Sequence, residues 1–385
     1  MRIFGDKCNK NNIVLIPLIQ SFGHMENTLI RKEFLKFREQ KDDPRAVCPL
    51  KGGAHEIIKA MIDETVNVFP DIKNFHLGGD EVDIFGTCPS CKNYIRMNGK
   101  ISLYLKQMVP LLDYLNDKYR IRPILWHDMM ISWGIKNLSW LAKRADLMLW
   151  IYDQKTWVQN GWNLKIPTEE MISKFIKSGV NLWGAGAYRC GGEGVVPDIY
   201  KRTENIKTWC AQSGKMPLKG FFITGWSRGN YLRVPYGPFE NAVQSLCLCS
   251  KIMWDGDCRL EDDAEGINEY FGKFINRKIS SLNADLFNLL EKLDRAYLVI
   301  NADRGFREGG GSNINELAQS LDTYEKGLLK FKTIKKKILK ELKQYAFPRD
   351  AEKWIGACEK MTFEKFHTTL AKLKKYLKKT NSNAS

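Results

Sequence analysis

Short, almost continuous apolar runs alternate with amphipathic segments through the first two-thirds of the chain. A continuous apolar run of this kind is typical of a strand that is buried on both faces. The sequence predicts six such strands, at residues 13–20, 75–81, 123–128, 147–153, 180–188 and 220–226. Amphipathic helices are predicted between them, near residues 29–37, 55–69, 101–118, 168–178 and 200–213. Strands and helices that alternate in this way indicate a parallel α/β sheet.

The pattern changes after Trp254. Helices are predicted at residues 261–274 and 282–300, and a glycine-rich loop at residues 304–312. Beyond the loop, apolar residues recur at helical spacing among many lysines, which favours helices that pack through one apolar stripe. The sequence therefore predicts a barrel domain over residues 1–255 and a basic helical extension over residues 256–385.

Polar and aromatic side chains collect where the predicted strands end. They are His24, Glu26, Asp80, Glu81, Trp126, Asp128, Trp150, Tyr152, Asp153, Tyr188 and Trp226. A (β/α)8 barrel of the TIM type places its active site at that rim. Closure of such a barrel needs eight strands. The prediction is therefore a (β/α)8 barrel that lacks its first two β/α units, or one whose gap another element covers.

The segment Phe75–Glu81 ends its strand in two glycines and two adjacent carboxylates. The glycines permit a sharp turn and leave room for a ligand. A carboxylate at a buried strand end costs free energy unless it is paired or used. Such a pair suits cleavage of a glycosidic bond. The alternative is that Asp80 and Glu81 belong to a solvated loop or a helix start.

The chain carries a formal net charge of +16, and half of it falls on residues 281–385. A basic tail can bind nucleic acid or an anionic membrane, or its charges can lie on the solvent-exposed face of amphipathic helices. No apolar run reaches membrane-spanning length, and residues 1–12 lack the apolar core of a signal peptide. Ten cysteines in a chain of 385 residues do not form a disulfide scaffold. These features predict a cytoplasmic protein with reduced thiols, with a nuclear location left open.

Four strand-end motifs resemble one known family in their order and spacing. They are Ser21-Phe22-Gly23-His24-Met25-Glu26, His76-Leu77-Gly78-Gly79-Asp80-Glu81, Trp126-His127-Asp128-Met129-Met130 and Thr224-Gly225-Trp226-Ser227-Arg228. Over about residues 13–255 the chain resembles glycoside hydrolase family 20, the β-N-acetylhexosaminidases, and within it the hexosaminidase D branch.

The resemblance implies a substrate-assisted mechanism, in which the 2-acetamido oxygen of the sugar attacks its own anomeric carbon. Glu81 would protonate the departing oxygen and then activate water. Asp80 would hold the acetamido N–H. Because Glu81 must carry a proton, burial and the neighbouring Asp80 are expected to raise its pKa.

The remaining strand-end residues fit the same substrate. Trp126, Trp150 and Trp226 are candidates for the walls of an acetamido pocket, although each could simply pack in the core. Tyr152 or Tyr188 could hydrogen-bond the acetamido oxygen. Three further polar residues have expected supporting roles. His24 and Glu26 would support the acids, unless His24 is an ordinary core histidine, and Asp128 would bind a hydroxyl or brace Glu81.

Two departures from the family pattern stand out. Ser227 and Arg228 follow Trp226 where many members carry a Trp-x-Glu sequence, and no arginine of the first strand matches the family's sugar-binding arginine.

A metal site is not expected from the sequence. Cys88 and Cys91 form a single pair near His76, and a zinc site needs four ligands. Cys247 and Cys249 are too close together to supply a second pair. No cofactor is expected either.

The sequence thus predicts a retaining exo-β-N-acetylhexosaminidase, of the EC 3.2.1.52 type, that removes terminal β-linked N-acetylgalactosamine or N-acetylglucosamine. Its partners would be glycans or glycoconjugates that end in N-acetylhexosamine, with no membrane. A homodimer is left open, and a nucleic-acid-binding tail is the weakest option. The alternative from another class is a degenerate, non-catalytic barrel that acts as a sugar-binding or scaffold protein.

Overall fold

A computed structural model describes residues 1–152, 158–161, 164–189, 197–214, 216–226, 238–256, 277–308, 312–344 and 346–382. The strands are β1 (Arg38–Gln40), β2 (Asp43–Val47), β3 (Asn74–His76), β4 (Arg122–Trp126), β5 (Asp146–Trp150), β6 (Val158–Gly161), β7 (Leu164–Pro167), β8 (Leu182–Ala187) and β9 (Leu218–Thr224). The first helices are α1 (Arg2–Lys10), α2 (Glu26–Leu29), α3 (Ala54–Val68), α4 (Pro89–Asn98), α5 (Lys100–Asp113), α6 (Ile135–Ala142) and α7 (Thr168–Lys177). The later helices are α8 (Ile199–Ser213), α9 (Val243–Asp255), α10 (Arg277–Ala302), α11 (Arg304–Glu308), α12 (Ile314–Leu342) and α13 (Pro348–Ser382).

A five-stranded sheet follows the order of the chain, β3-β4-β5-β8-β9. The pairs β3–β4, β4–β5 and β5–β8 are parallel. The first predicted strand joins this sheet through one parallel bridge from Leu18 to His76. Parallel strands that neighbour each other in chain order, with helices between them, form part of a (β/α) barrel. The predicted fold class is confirmed, and each of the predicted strands contributes to the sheet.

Local structure around residues 26–47 differs from the prediction. The helix expected at residues 29–37 is wrong. The chain makes the single helical turn α2 and a 3₁₀ helix at Lys32–Phe37, and then the antiparallel hairpin β1–β2. The hairpin is mostly polar, so it carries no strong hydrophobic pattern that would predict a strand. Helix α4 was not predicted either, although Pro89 at its first turn is a common start signal.

Contacts between residues divide the chain into two compact units. The first comprises residues 1–186, 211–222 and 230–232, and the second comprises residues 187–210, 223–229 and 233–385. The domain boundary predicted at residue 255 is a different division and stays a prediction. The helix predicted at residues 261–274 and the glycine-rich part of the loop, Gly309–Gly311, lie outside the described residues.

The core of the first unit lies between the sheet and its helices. Strand residues Phe75, Ile124 and Leu147 are fully buried, as the apolar runs predict. Helices α3 and α5 bury one face each, with Ile58 and Leu111 among the buried residues. Removal of each such side chain from water contributes about 1.5–3 kcal/mol. This packing fixes the strand ends that carry the polar residues.

Helices α10, α12 and α13 share the main core of the second unit. Leu293, Phe331, Trp354 and Phe366 are almost completely buried within it. Gly327 allows α12 to approach α10, since an added Cβ would lie 2.6 Å from Leu293 Cδ2. The apolar stripes predicted for the extension therefore pack against each other. Among the helices that the structure describes, none is both long and apolar enough to span a bilayer.

Candidate active site

The turn after β3 is built for tight packing. Gly78 and Gly79 have φ angles of 64° and 80°, in the region that favours glycine. A Cβ on Gly78 would lie 1.9 Å from Gln20 Oε1, and one on Gly79 would lie 2.7 Å from the hydroxyl of Tyr104. Tyr104 also donates a hydrogen bond to the carbonyl of Gly79 at 3.0 Å. The glycine pair therefore allows the backbone to pack closely against Gln20 and Tyr104, and this turn positions Asp80 and Glu81.

Glu81 itself has a left-handed backbone conformation, with φ of 45°. A non-glycine residue held in such a conformation costs on the order of 1–3 kcal/mol and needs support from its surroundings. Asp128 supplies that support, because its Oδ2 accepts a hydrogen bond from the Glu81 backbone N–H at 2.9 Å. The other carboxylate oxygen of Asp128 lies 3.4 Å from the indole N–H of Trp150. Both roles expected for Asp128, binding of a sugar hydroxyl and bracing of Glu81, stay predictions, and the hydrogen bond to the Glu81 backbone is compatible with the second.

The two acids lie at different depths. The side chain of Asp80 is 8% exposed and that of Glu81 is 55% exposed. One oxygen of Asp80, Oδ1, is buried without a hydrogen-bond partner among the described residues. A buried acceptor of this kind is costly unless a ligand satisfies it. The arrangement suits a buried acid that binds and an exposed acid that exchanges protons.

His24 connects the two acids. Its Nε2 lies 3.4 Å from Asp80 Oδ2 and 3.4 Å from Glu81 Oε2. Burial by itself lowers the pKa of His24, but the hydrogen bonds to Asp80 and Glu81 outweigh it and raise the pKa to about 10. The imidazole is therefore protonated at neutral pH and forms ion pairs with both acids.

The expected pKa shift of Glu81 is wrong in direction. The hydrogen bond from His24 lowers the pKa of Glu81, and the partial burial that would raise it is the smaller effect. The prediction rests on burial and the like charge of Asp80, whereas His24 places a cation at hydrogen-bond distance from Glu81. The raised pKa belongs instead to Asp128. Burial and then the charge of Asp80 raise the pKa of Asp128 to about 7.

We expect His24→Gln to destabilise the protein most near pH 6 and progressively less toward pH 10. The folded pKa of His24 is about 10 against an ordinary value of 6.5. Its stabilisation is therefore complete below the ordinary value and is lost as the pH rises through the folded value. Urea unfolding of wild type and variant over this pH range measures the difference.

His55→Gln is the matched control for this pH dependence. Burial lowers the pKa of His55, so this histidine is neutral in folded and unfolded chains above neutral pH. Its variant should therefore show a constant difference from wild type over the alkaline range. A constant difference for His24→Gln as well would contradict the proposed ion pairing.

The loop that carries His24 approaches the acids closely. A Cβ on Gly23 would lie 2.5 Å from the backbone oxygen of Asp80. We expect Gly23→Ala to cost about 1–3 kcal/mol, because backbone atoms cannot yield as a flexible side chain can. Urea unfolding measures this loss. Gly52→Ala is the control, since nothing lies within 4 Å of its added Cβ, and equal losses for both variants would contradict the close approach.

The aromatic candidates of the first unit differ in exposure. Trp126 is 3% exposed, and its ring lies 4.4 Å from the ring of His76, centroid to centroid. Trp150 and Tyr152 are partly exposed and stack on each other, with centroids 5.6 Å apart and planes 27° apart. The hydrogen bond from Trp150 to Asp128 joins this stack to the acids. The roles of Trp126 and Trp150 as pocket walls and of Tyr152 as a hydrogen-bond partner of the acetamido oxygen stay predictions.

The remaining predicted residues are Glu26, Tyr188 and Trp226. Glu26 is buried at the start of α2. Tyr188 and Trp226 belong to the second unit, where Tyr188 is buried and its hydroxyl would lie 2.3 Å from a Cβ on Gly225. Their roles stay predictions. Asp153, Ser227 and Arg228 lie outside the described residues.

Tyr104 contacts the turn before the acids but is not among the predicted site residues. It lies in the middle of α5, where an aromatic residue at helical spacing resembles ordinary core. What distinguishes Tyr104 from a core residue is its hydrogen bond to the carbonyl of Gly79, which precedes Glu81 by two residues.

Two groups of side chains could hold a metal ion among the described residues. One is His24, Asp80 and Glu81, and the other is Glu39, Cys48, Cys88 and Cys91. The first group is the acid site itself. The second lies elsewhere in the first unit.

The part of the chain that carries the acids matches a known protein family. Residues 9–172 match the model of glycosyl hydrolase family 20, catalytic domain. This stretch is similar to the catalytic domains of that family. It contains His24, both acids, Asp128 and the Trp150–Tyr152 stack, and the match supports a glycoside hydrolase.

Two curated proteins similar to this chain are named hexosaminidase D. The Bos taurus protein is 28% identical over 260 residues, which cover 64% of this chain and 72% of the relative. The Homo sapiens protein is 26% identical over 257 residues, and the chain spans about half of its length, 51%. Among solved structures, a structure of the pneumococcal protein StrH is 16% identical, and the match covers 77% of this chain and 70% of that one with a TM-score of 0.47.

Proposed function

We propose that this chain is a β-N-acetylhexosaminidase that releases terminal N-acetylhexosamine from glycans or glycoconjugates with retention of configuration. The observation that carries the proposal is the pair of acids at different depths, joined by one protonated histidine. The names of the bovine and human relatives support the same sugar class.

Asp80 is the residue that would bind the acetamido group. Its buried Oδ1 is an acceptor without a described partner, and an acetamido N–H is a donor of matching size. As the acetamido oxygen forms its bond to the anomeric carbon, positive charge grows on the nitrogen. A buried carboxylate stabilises that charge strongly, because the site excludes water.

Glu81 would move the proton. As the glycosidic C–O bond breaks, the departing oxygen takes a proton from Glu81, and the sugar is left as a cyclic oxazolinium ion. Glu81 then takes a proton from water, whose oxygen bonds to the anomeric carbon while the oxazolinium ring opens. The exposed position of Glu81 suits contact with a leaving group of any size.

His24 would supply the proton that Glu81 lacks at rest. In the free protein the charged form of His24 lies 3.4 Å from an ionised Glu81. A sugar that covers this pair removes water, and desolvation disfavours an ion pair relative to its neutral form. The proton then moves from His24 Nε2 to Glu81 Oε2, which makes Glu81 the acid.

Matched aryl glycosides test the function. One pair of substrates carries β-N-acetylglucosamine or β-N-acetylgalactosamine, and the other pair carries β-glucose or β-galactose on the same aryl group. We expect turnover only of the first pair, because the 2-hydroxyl sugars lack the internal nucleophile. NMR of the first product should show the β-anomer.

Two results would overturn the proposal. Equal turnover of both pairs would point to a protein carboxylate as the nucleophile. Saturable binding of N-acetylglucosamine or N-acetylgalactosamine without any hydrolysis would instead favour the non-catalytic sugar-binding protein.

A further inference from the structure

Three cysteines and one glutamate from two separate segments of the first unit lie close together. Glu39 lies in the middle of β1, Cys48 follows β2, and Cys88 and Cys91 begin α4. Cys48 Sγ lies 3.8 Å from Cys88 Sγ and 3.4 Å from Cys91 Sγ. Glu39 Oε2 lies 3.4 Å from Cys91 Sγ. All four ligand atoms lie within 4.8 Å of one another.

These separations match a tetrahedron around a small cation. A Zn–S bond of about 2.3 Å places two sulfur ligands about 3.8 Å apart, and a Zn–O bond of about 2.1 Å places oxygen and sulfur about 3.6 Å apart. The measured distances are close to these values. Three of the six separations among the four ligand atoms are thus close to tetrahedral values, and all four atoms lie within 4.8 Å of one another.

Glu39 needs a positive partner. The residue is 2% exposed, and its Oε1 accepts hydrogen bonds from the backbone N–H groups of Thr87 and Cys88 at 2.7 and 2.9 Å. Among the described residues, no lysine, arginine or histidine forms an ion pair with it. A buried carboxylate is costly unless it is paired with a cation or binds a metal.

The Cys88–Cys91 turn is shaped for a thiolate. The backbone N–H of Cys91 points to Cys88 Sγ at 3.4 Å. Pro89 fixes the first turn of α4, and the positive end of the helix dipole lies at the two sulfurs. Both features stabilise negative charge on sulfur, which a metal ligand requires.

We propose that Glu39, Cys48, Cys88 and Cys91 bind one Zn²⁺ ion in a closed structural site. Three thiols and one carboxylate favour Zn²⁺ over Ca²⁺ or Mg²⁺, which take oxygen ligands. Binding converts the three thiols to thiolates and releases three protons. All four positions are filled by the protein, so the ion holds the structure and takes no part in hydrolysis.

The site would tie together the two loops of the acid site. The hairpin β1–β2 supports the His24 loop through hydrogen bonds from Val47 N–H to the Phe22 carbonyl at 3.2 Å and from Met25 N–H to the Arg45 carbonyl at 3.0 Å. Residues 82–87 connect Glu81 to Cys88. A zinc ion between hairpin and helix would therefore fix the position of His24 relative to Glu81.

The zinc content of the whole chain tests the proposal without any measurement of hydrolysis. We expect one zinc ion per chain in wild type purified under reducing conditions from zinc-containing medium, as measured by elemental mass spectrometry. Growth with Co²⁺ should give the visible and near-ultraviolet absorption of tetrahedral cobalt bound to thiolates. Both measurements use wild type, so they do not depend on the folding of a variant.

Cysteine variants localise the ion. Cys48→Ser should fall from one zinc ion per chain to almost none, whereas Cys247→Ser, a cysteine of α9, should keep it. Wild type without zinc, or equal zinc in both variants, would overturn the proposal. A Cys48–Cys91 disulfide in peptides from unreduced protein would overturn it too, because those sulfurs would then be unable to bind a metal. Failure of the hexosaminidase proposal would leave these results unchanged.

Discussion

Replacement of Glu81 by Gln is expected to lower kcat/KM by about 10²–10⁴-fold on substrates with poor leaving groups. The variant keeps the size of the side chain but can neither give the proton to the departing oxygen nor take one from water. Substrates with good leaving groups, such as nitrophenyl or dinitrophenyl glycosides, need little help from an acid. The loss in their first step should be much smaller.

The dependence on the leaving group separates this role from simple unfolding. Assays of aryl N-acetylhexosaminides over a range of phenol pKa values would measure it, with Asp83→Asn as the control. Asp83 is a carboxylate on the same loop, its side chain is 60% exposed, and it forms an ion pair with Arg45 at 3.7 Å. A loss in Glu81→Gln that is the same for every leaving group would contradict the assignment of Glu81 as the general acid.

Replacement of Asp80 by Asn should lower kcat/KM by about 10²–10³-fold, with little dependence on the leaving group. The amide removes the negative charge that stabilises the acetamido nitrogen as the ring closes, and ring closure precedes departure of every leaving group. The variant also removes one partner of His24, so the alkaline loss of stability should begin at a lower pH.

Two measurements on the Asp80→Asn variant test this prediction. The first is kcat/KM for the 2-acetamido aryl glycosides, compared with the Asp83→Asn control. The second is binding of the product N-acetylhexosamine, measured by calorimetry, which should weaken because the buried acceptor is changed. Activity near wild type in Asp80→Asn would remove the basis for substrate assistance.

The strand ends are the part of the site that local sequence encodes. A strand buried on both faces requires a continuous apolar run, so its end can be found from the residues alone. In this way the runs before Asp80 and Trp126 locate their strand exits, and a parallel sheet brings such exits to one rim. The glycine pair before Asp80 also signals a close backbone turn, and the structure bears this out at Gly78 and Gly79.

The charge state of the acids and the cysteine cluster depend on contacts between distant segments. The hydrogen bond from His24, which lies on another loop, lowers the pKa of Glu81, and no local pattern gives the sign of that shift. Glu39 and Cys48 join Cys88 and Cys91 only because a polar hairpin folds beside helix α4. The sequence by itself determined the order of strands and the residues at their ends, since burial is a local pattern. Only the tertiary structure decided which of those groups meet, because electrostatic and metal-ligand contacts depend on distances of a few ångströms between segments far apart in the chain.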